Sequence, residues 1–357
     1  MKIMFVTPGM KFGGAERVMS ILLKEFADLG HDVFLHIMDE DKVIAYELDE
    51  KIHISFSKAA RFNSFKNIRA FLKELKSRVD NVNPDIIVSF FNNTLAFSWW
   101  VSRKNKIPLI FSERNDPNNN INGIKSKFFQ KIALKKSNHI VFQTSGAQNC
   151  YNKKVQKKST VIANPFSVLN MPDSVKDERT KRIVSVGRLN PQKNQKILIK
   201  AFSNISNKFP DHILQIYGEG ELRAQLEDLI KENNLQDKVF LPGASKQVLK
   251  DINDAQVFAF SSDFEGMPNA LIEAMALGLP CISTDCSPGG AREFIKNYEN
   301  GILVPCNDVD EMIKAIEFML ENQEKAQQMG NNAKHIVKDL APNIIAEKWI
   351  NIFKMLQ

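Results

Sequence analysis

The chain has 357 residues, of which 43% are hydrophobic and 25% charged, a composition typical of a soluble globular protein with two domains. No apolar run approaches the roughly 18 residues of a membrane span, and MKIMFVTPGM lacks the pattern of a secretory signal, so a membrane-spanning or secreted protein is not expected. Four cysteines without CxxC or zinc spacing indicate reduced thiols and a cytoplasmic location.

The net charge of +7 is distributed unevenly along the chain. Residues 1–176 carry 27 Lys and Arg against 16 Asp and Glu, whereas the remainder carries 21 against 25. Between Lys58 and Lys158 the cations interleave with apolar and aromatic residues, among them Phe128 and Phe129. This pattern suits an anionic membrane surface, although a solvated basic face is the simpler interpretation of charge alone. Nucleic acid is disfavoured because no recognition motif accompanies the charge.

In chain order, the first half predicts a parallel sheet with helices on both faces. KIMFVT is a buried strand, GGAERVMSILLKEFADLG has helical periodicity ending at Gly30, and DVFLHIM is a second strand. Further strands are predicted at DIIVSFF, PLIFSE and HIVFQT. Gly13 and Gly14 at the first strand–helix turn would let an anion approach the backbone, but turn geometry alone also explains them.

The polar stretch MPDSVKDERTKR, residues 171–182, is the predicted linker. The same plan restarts at RIVSVG, with a helix predicted from about Lys193 to Ile205, and continues through HILQIYG, VFLPG, VFAFSS, PCISTD and GILVP. The expected architecture is therefore α/β, with Rossmann-like doubly wound domains at 1–170 and 183–341 and a ligand cleft between their carboxyl edges.

Candidate binding residues follow two strands of the second domain. VGRLNPQKN places Arg188 and Lys193 beside the cleft, where they could hold a diphosphate or simply be solvated. The turn YGEGE, with Gly218, is equally ambiguous. Neither GxGxxG nor GxxxxGK[ST] occurs, so nicotinamide and P-loop sites are not predicted. Asp308-Val309-Asp310 reads as a helix cap, the histidines form no ligand set, and no metal site is expected.

The stretch SSDFEGMPNALIEAMALGLP is the most informative part of the chain. It predicts a helix from about Pro268 to Leu277, in which only Asn269 and Glu273 are polar. A carboxylate in so apolar a helix needs donors, either from a ligand such as a sugar or from the protein itself. Glu265 stands eight residues earlier, in a turn whose backbone N–H groups could face an anion.

Together, GGAER, VGRLNPQKN, YGEGEL, FEGMPNALIEAMALGLP, TDCSPGGAREFI and GILVP resemble the retaining glycosyltransferases of family 4, whose GT-B fold has two facing Rossmann-like domains. The resemblance implies that Arg188 and Lys193 bind the donor diphosphate, Glu265 lies beside the sugar and Glu273 holds the ribose hydroxyls. It implies no metal or other cofactor, and a final helix at 342–357 that crosses back onto the first domain. The other implied donor-binding residues are Gly13, Gly14, Gly218, Gly243, Gly266, Met267 and Asn269.

SERNDP and PGGAREF are similar to members that transfer hexose or N-acetylhexosamine, often galactose-type, to lipid-diphosphate-linked oligosaccharides. This implies a UDP-sugar donor, a polyprenyl-diphosphate-linked acceptor and a peripheral location on the inner face of the cell membrane. Ser112, Glu113 and Arg114 replace a histidine common in similar enzymes, which makes Glu113 a candidate contact. A nucleotide-sugar 2-epimerase of the same architecture and a non-catalytic membrane-surface protein remain alternatives.

Overall fold

The computed structural model describes residues 1–11, 13–39, 42–57, 65–114, 116–119, 131–132, 134–168, 171–173 and 179–357. They form two compact units. Unit 1 comprises Met1–Pro165 and Leu340–Gln357, and unit 2 comprises Phe166–Asp339.

The elements alternate between strand and helix along most of the chain. The strands are β1 (Lys2–Thr7), β2 (Asp32–Ile37), β3 (His53–Phe56), β4 (Ile86–Ser89), β5 (Leu109–Glu113), β6 (His139–Phe142), β7 (Ser159–Val161), β8 (Thr180–Val186), β9 (Ile213–Tyr217), β10 (Val239–Gly243), β11 (Ala255–Phe260), β12 (Cys281–Thr284) and β13 (Ile302–Val304). The α-helices are α1 (Gly14–Asp28), α2 (Phe65–Val82), α3 (Asn92–Asn105), α4 (Ser145–Asn149), α5 (Lys153–Gln156), α6 (Lys196–Ile205), α7 (Arg223–Glu232), α8 (Val248–Ile252), α9 (Asn269–Ala276), α10 (Val309–Glu321), α11 (Gln323–Ala333), α12 (Ile336–Asp339) and α13 (Pro342–Leu356).

The described part of unit 1 contains a parallel sheet of seven strands in the order β3-β2-β1-β4-β5-β6-β7. β1 is buried from Ile3 to Thr7, as expected for a central strand covered on both faces. The chain returns to this unit in α13, which packs on α1 with the Phe26 and Phe353 ring centroids 5.4 Å apart. The order of the strands reverses between β1 and β4, and this reversal is the topological switch point of the sheet.

The described part of unit 2 contains a parallel sheet of six strands in the order β10-β9-β8-β11-β12-β13. Its switch point lies between β8 and β11. Helices α6 and α10 cover the sheet with apolar side chains such as Phe202 and Ile316, both at most 1% exposed. The predicted fold class, two doubly wound α/β domains, is confirmed.

The unit boundaries differ from those predicted at 171–182 and 341. The structure assigns Phe166 to unit 2 and Leu340 to unit 1. Residues 180–182 are also not linker, because β8 begins at Thr180. The start of this strand was not predicted because its side chains are polar. Arg182 donates to Gln215 Oε1 at 2.7 Å and forms an ion pair with Asp254, so charged groups replace apolar packing at the start of β8.

None of the described helices combines the length and the apolar character that a membrane crossing needs. Within the basic segment of unit 1, Lys131, Lys135 and Lys136 are exposed. Lys127, Phe128 and Phe129 lie outside the described residues.

Candidate functional site

The switch point of unit 2 brings together the loop after β8 and the loop after β11. The Asp263 N–H donates to the Gln192 carbonyl at 2.8 Å, and Ser261 Oγ donates to the Lys193 carbonyl at 2.8 Å. Asn194 Nδ2 donates to Asp263 Oδ1 at 2.7 Å. Because these bonds fix each loop against the other, the side chains they carry hold a defined position at the carboxyl edge of the sheet.

The helix predicted from Lys193 begins later than expected. Pro191–Lys193 form a 3₁₀ turn that Asn190 caps, its side chain accepting from the Lys193 N–H at 3.2 Å. Asn194 then has a φ of 45°, a left-handed conformation that interrupts the helical path. The α-helix therefore starts at Lys196, and Lys193 stays on the loop.

Lys193 and Glu265 form an ion pair at the centre of this arrangement. Their side chains are 19% and 10% exposed. Ser262 Oγ donates to Glu265 Oε1 at 2.9 Å, and the Lys193 Nζ lies 4.9 Å from the centroid of the Phe260 ring. A nearly buried ammonium between a carboxylate and an aromatic face is desolvated, so its interaction with a ligand oxyanion is stronger than it would be in open water.

Arg188 lies on the same loop with an exposed side chain, while its carbonyl accepts from Gln195 Nε2 at 2.8 Å. The backbone behind it is packed tightly: a Cβ on Gly218 would lie 2.0 Å from the Gly187 oxygen. The Gly218 N–H donates to the Gly243 carbonyl at 2.9 Å, and the two φ angles are 141° and 93°. Close backbone approach therefore requires glycine at Gly218, and the positive φ favours glycine at Gly243, independently of any ligand.

The helix predicted around Glu273 is confirmed as α9, and its burial is confirmed as well. Residues 271–276 are all buried, and Glu273 is 8% exposed. The helix ends in a Schellman motif, with Gly278 at φ 73° and the Leu279 N–H donating to the Ala274 carbonyl at 3.1 Å. Asn269, one turn before Glu273, is half-buried.

The turn before α9 is packed against Gly290. Gly290 approaches it so closely that a Cβ there would lie 2.8 Å from the Gly266 oxygen and 3.5 Å from the Met267 Cα. The Glu265 N–H donates to the Ser287 carbonyl at 2.9 Å. Residues 287–290 therefore support the backbone that carries Glu265, Gly266 and Met267.

Sequence reasoning missed the polar and thiol groups around Glu265. Ser262 is the second residue after β11, and Thr284 Oγ1 donates to its carbonyl at 2.5 Å. Cys306 Sγ lies 3.9 Å from the same carbonyl oxygen. Burial raises the pKa of the Cys286 thiol to about 12, with the negative charge of Glu265 as a further cause. The run SSDFEG was the available signal, because hydroxyls directly after a buried strand reach the carboxyl edge.

The remaining candidates lie in unit 1. Gly13 precedes α1, and the Tyr46 hydroxyl accepts from its N–H at 3.0 Å and donates to its carbonyl at 2.8 Å; Gly14 begins the helix. Glu113 ends β5 and is 2% exposed. Its two carboxylate oxygens accept from the Tyr151 hydroxyl and the Arg114 N–H, each at 3.1 Å. Both oxygens of this carboxylate are thus engaged within unit 1, and the role of Glu113 as a substrate contact stays a prediction.

The candidates thus divide between the units: Gly13, Gly14 and Glu113 belong to unit 1 and the others to unit 2. The cleft between the sheet edges stays a prediction.

Within the described ranges, no group of three or more His, Cys, Asp or Glu is arranged to hold a metal ion. Asp308 is a helix cap, as predicted, since its Oδ1 accepts from the Glu311 N–H at 3.0 Å.

Two family models match consecutive parts of the chain. The model described as Glycosyltransferase Family 4 matches residues 12–168, and the model described as Glycosyl transferases group 1 matches residues 169–336. Their boundary falls within a few residues of the division between the two units.

Two full-length relatives come from Campylobacter jejuni. An N-acetylgalactosamine-N,N'-diacetylbacillosaminyl-diphospho-undecaprenol 4-alpha-N-acetylgalactosaminyltransferase is 32% identical over 338 residues, covering 90% of this chain and 91% of its own. An alpha-1,4-N-acetyl-D-galactosaminyltransferase, named for a substrate linked to PP-undecaprenol, is 28% identical and covers 99% of this chain and 98% of its own.

The fold is similar to that of Anabaena HepE in complex with UDP, with a TM-score of 0.83 and 16% identity. The similarity covers 99% of this chain and all of that one. A sucrose-phosphate synthase from Thermosynechococcus elongatus gives a TM-score of 0.84 at 18% identity, covering 99% and 98% of the two chains. At these identities the likeness supports the fold alone.

Proposed function

The chain belongs to the glycosyltransferases of family 4, and on this premise we propose that it moves a hexose or N-acetylhexosamine from a UDP-sugar to a hydroxyl of a lipid-linked glycan. The observation that carries the proposal is the Lys193–Glu265 pair at the switch point of unit 2, directly before a buried helix that contains Glu273. Open α/β sheets bind their ligands at such a point.

The donor diphosphate needs cations, and the loop after β8 provides Lys193 and Arg188. When the bond between sugar and diphosphate breaks, negative charge grows on the leaving group. A cation that is already fixed beside that charge stabilises the transition state without reorganising at the moment of reaction. Lys193 meets this condition because the ion pair and the Phe260 ring restrain its ammonium. Arg188, whose side chain is exposed, would be ordered by the ligand.

The two carboxylates suit the hydroxyls of the donor. Glu273 on α9 would accept from the ribose hydroxyls, and Glu265 would face the sugar, with the backbone of residues 266–269 around them. Carboxylate oxygens accept readily from hydroxyl groups, and a nucleotide sugar is rich in hydroxyls. We propose that the acceptor hydroxyl attacks from the face that the diphosphate leaves, with retention of configuration.

The preference for UDP and for a galactose-type sugar rests on the relatives. Both Campylobacter jejuni relatives are named as N-acetylgalactosaminyltransferases of undecaprenyl-linked substrates, and the Anabaena structure contains UDP. With an acceptor linked to polyprenyl diphosphate, we propose a peripheral location on the inner face of the cell membrane.

The test is a nucleotide-sugar screen with the purified protein and a synthetic polyprenyl-diphosphate-linked glycan. We expect UDP release only with donor and acceptor together, and continued turnover in excess EDTA. Arg188→Ala and Lys193→Ala should each lower turnover about 100-fold.

Each alternative function gives a different result in this screen. Conversion of the donor without an acceptor would indicate an epimerase, and failure to bind any nucleotide sugar would indicate a non-catalytic protein. Loss of activity in EDTA that magnesium or manganese restores would contradict the metal-independent reaction. A product with inverted anomeric configuration would contradict the retaining reaction.

A further inference from the structure

The chain leaves unit 1 after Pro165 and re-enters it at Leu340. Two segments of unit 1 therefore lie next to these crossings: Asn164, just before the exit, and α13, just after the return. A single side chain, that of Arg114, contacts both of them.

The guanidinium of Arg114 bonds to the exit segment. Its Nη1 donates to Asn164 Oδ1 at 2.6 Å, a short distance of the kind seen in charge-assisted hydrogen bonds. Gln143 Nε2 donates to the same oxygen at 2.8 Å. Because both donors converge on one atom, the Asn164 side chain is held against the residues that follow β5 and β6.

The same guanidinium packs against the return segment. It lies 4.0 Å from the centroid of the Phe90 ring and 5.9 Å from that of the Trp349 ring. These rings stack on each other with centroids 6.0 Å apart, and Trp349 belongs to α13. The planar cation is therefore part of the aromatic cluster that fastens α13 to unit 1.

Arg114 occupies this place at an energetic cost. The residue is 9% exposed, and within the described structure its Nε has no hydrogen-bond partner. Burial lowers the pKa of its guanidinium to about 9. An apolar side chain would avoid this cost but could not donate to Asn164 while it stacks on the rings.

We propose that Arg114 is a positioning residue that ties both connections between the units to the carboxyl edge of the unit 1 sheet. Its consequence for the reaction rests on the proposed function, with the donor bound by unit 2, and on the further premise that unit 1 binds the acceptor. Loosening both connections should then lower turnover while the affinity of unit 2 for UDP is kept. This role differs from direct contact with a substrate, because the guanidinium of Arg114 already bonds to Asn164 and lies on the Phe90 ring.

The experiment compares wild type, Arg114→Ala, Arg114→Lys and Leu75→Ala. Leu75 lies in the core of unit 1 on α2 and provides a control for general destabilisation. Hydrogen exchange is followed in peptides covering residues 160–166 and 342–356, with UDP affinity and turnover measured alongside. In Arg114→Ala we expect exchange to rise about tenfold in both segments together, and less in β1.

The kinetic readout separates positioning from stability. We expect kcat of Arg114→Ala to fall about tenfold while the Kd for UDP stays within about twofold, and Leu75→Ala to lose thermal stability without this fall in kcat. Millimolar guanidinium, but not urea, should restore part of the lost turnover by filling the vacated space. If Arg114→Ala does not fold, Arg114→Lys provides the same exchange and kinetic test, because lysine keeps the positive charge but loses the planar guanidinium.

The proposal is overturned if exchange rises in only one segment, or evenly across unit 1 as in Leu75→Ala, or if kcat is unchanged in the loosened protein. A wild type without transferase activity would contradict the proposed function instead. The exchange measurement would still decide whether Arg114 holds both segments.

Discussion

The charge partner of Lys193 determines how strongly its ammonium can attract a diphosphate. Glu265 forms an ion pair with it, and Ser262 donates to the same carboxylate oxygen. An incoming anion must therefore share the ammonium with Glu265. The carboxylate weakens ground-state binding of the nucleotide, yet it fixes the cation where charge develops in the transition state.

Glu265→Gln separates these two effects, because it removes the charge and keeps the shape. We expect the Kd for UDP to decrease by about tenfold, equivalent to about 1.4 kcal/mol, while kcat falls. Calorimetry with UDP and initial rates with the best donor measure both quantities. Glu232→Gln on α7, an exposed carboxylate, is the matched control and should change neither. Weaker UDP binding in Glu265→Gln would contradict the idea that Glu265 and the diphosphate compete for the Lys193 ammonium.

Gly218 offers a second test at the scale of one residue. An added Cβ would lie 2.0 Å from the Gly187 oxygen, so Gly218→Ala must displace the loop that carries Arg188 and Lys193. Gly30→Ala is a suitable control because its φ of 79° is also positive while no atom lies within 4 Å of the new Cβ. Gly30→Ala should cost about 1 kcal/mol of stability from φ alone.

For Gly218→Ala we expect a larger fall in thermal stability together with weaker UDP binding. Thermal melts with and without UDP give both quantities for the two variants. Equal effects of the two substitutions on stability and binding would show that the close approach at Gly218 has no role in the site.

At the scale of elements, the sequence predicted those parts of the fold that burial determines. Strands β1, β4, β5, β6 and β11 each contain at least three consecutive apolar residues, and all were predicted. The strands that were missed, β3 and β7, are the two edges of the unit 1 sheet and are short and only partly buried. An edge strand pairs on one side only, so its sequence needs less apolar surface.

The same distinction applies to the candidate site. Residue types and spacing identified Lys193, Glu265 and Glu273 as candidates, and the periodicity of α9 predicted the burial of Glu273. The Lys193–Glu265 pair could not be predicted, because 72 residues separate its members. Their contact depends on the adjacency of β8 and β11, which follows from the strand order rather than from any local pattern.

The edge formed by β2 and β3 carries a titratable contact. His36 on β2 is 1% exposed and bonds to Ser55 Oγ and Ser57 Oγ, each at 3.0 Å. Burial, with Arg78 as a smaller cause, lowers the pKa of His36 to about 4. The unfolded chain, with an ordinary histidine pKa of about 6.5, binds the proton first as the pH falls.

We therefore expect the stability contributed by His36 to be complete above about pH 6.5 and to be lost between about pH 6.5 and pH 4, by on the order of 3 kcal/mol in all. Urea unfolding of wild type and His36→Gln at several pH values measures the difference. Because Gln cannot titrate, the stability gap between the proteins should change over this window only. A gap independent of pH would refute the assignment.

For the whole molecule, charge distinguishes the two halves of the chain more clearly than the fold does. Both units have the same strand order around the switch point, yet residues 1–176 carry a basic excess and the remainder a small acidic excess. Lys131, Lys135 and Lys136 are exposed cations of unit 1. If the acceptor is linked to a membrane lipid, these cations could hold the protein at the membrane, since they attract an anionic bilayer surface within about 10 Å.

Replacing Lys131, Lys135 and Lys136 with Glu should release the protein from phosphatidylglycerol vesicles. Each basic residue near such a surface contributes about 1 kcal/mol, so losing three predicts binding weaker by about a hundredfold or more. The control carries Glu at Lys246, Lys250 and Lys296, exposed residues of unit 2, and has the same net charge. Co-sedimentation at low and high salt should show wild type and control bound at low salt only, with unchanged UDP affinity in all three. If both triple variants sediment equally, or wild type binds neutral vesicles as well, the basic face is merely solvated and the peripheral location loses its support.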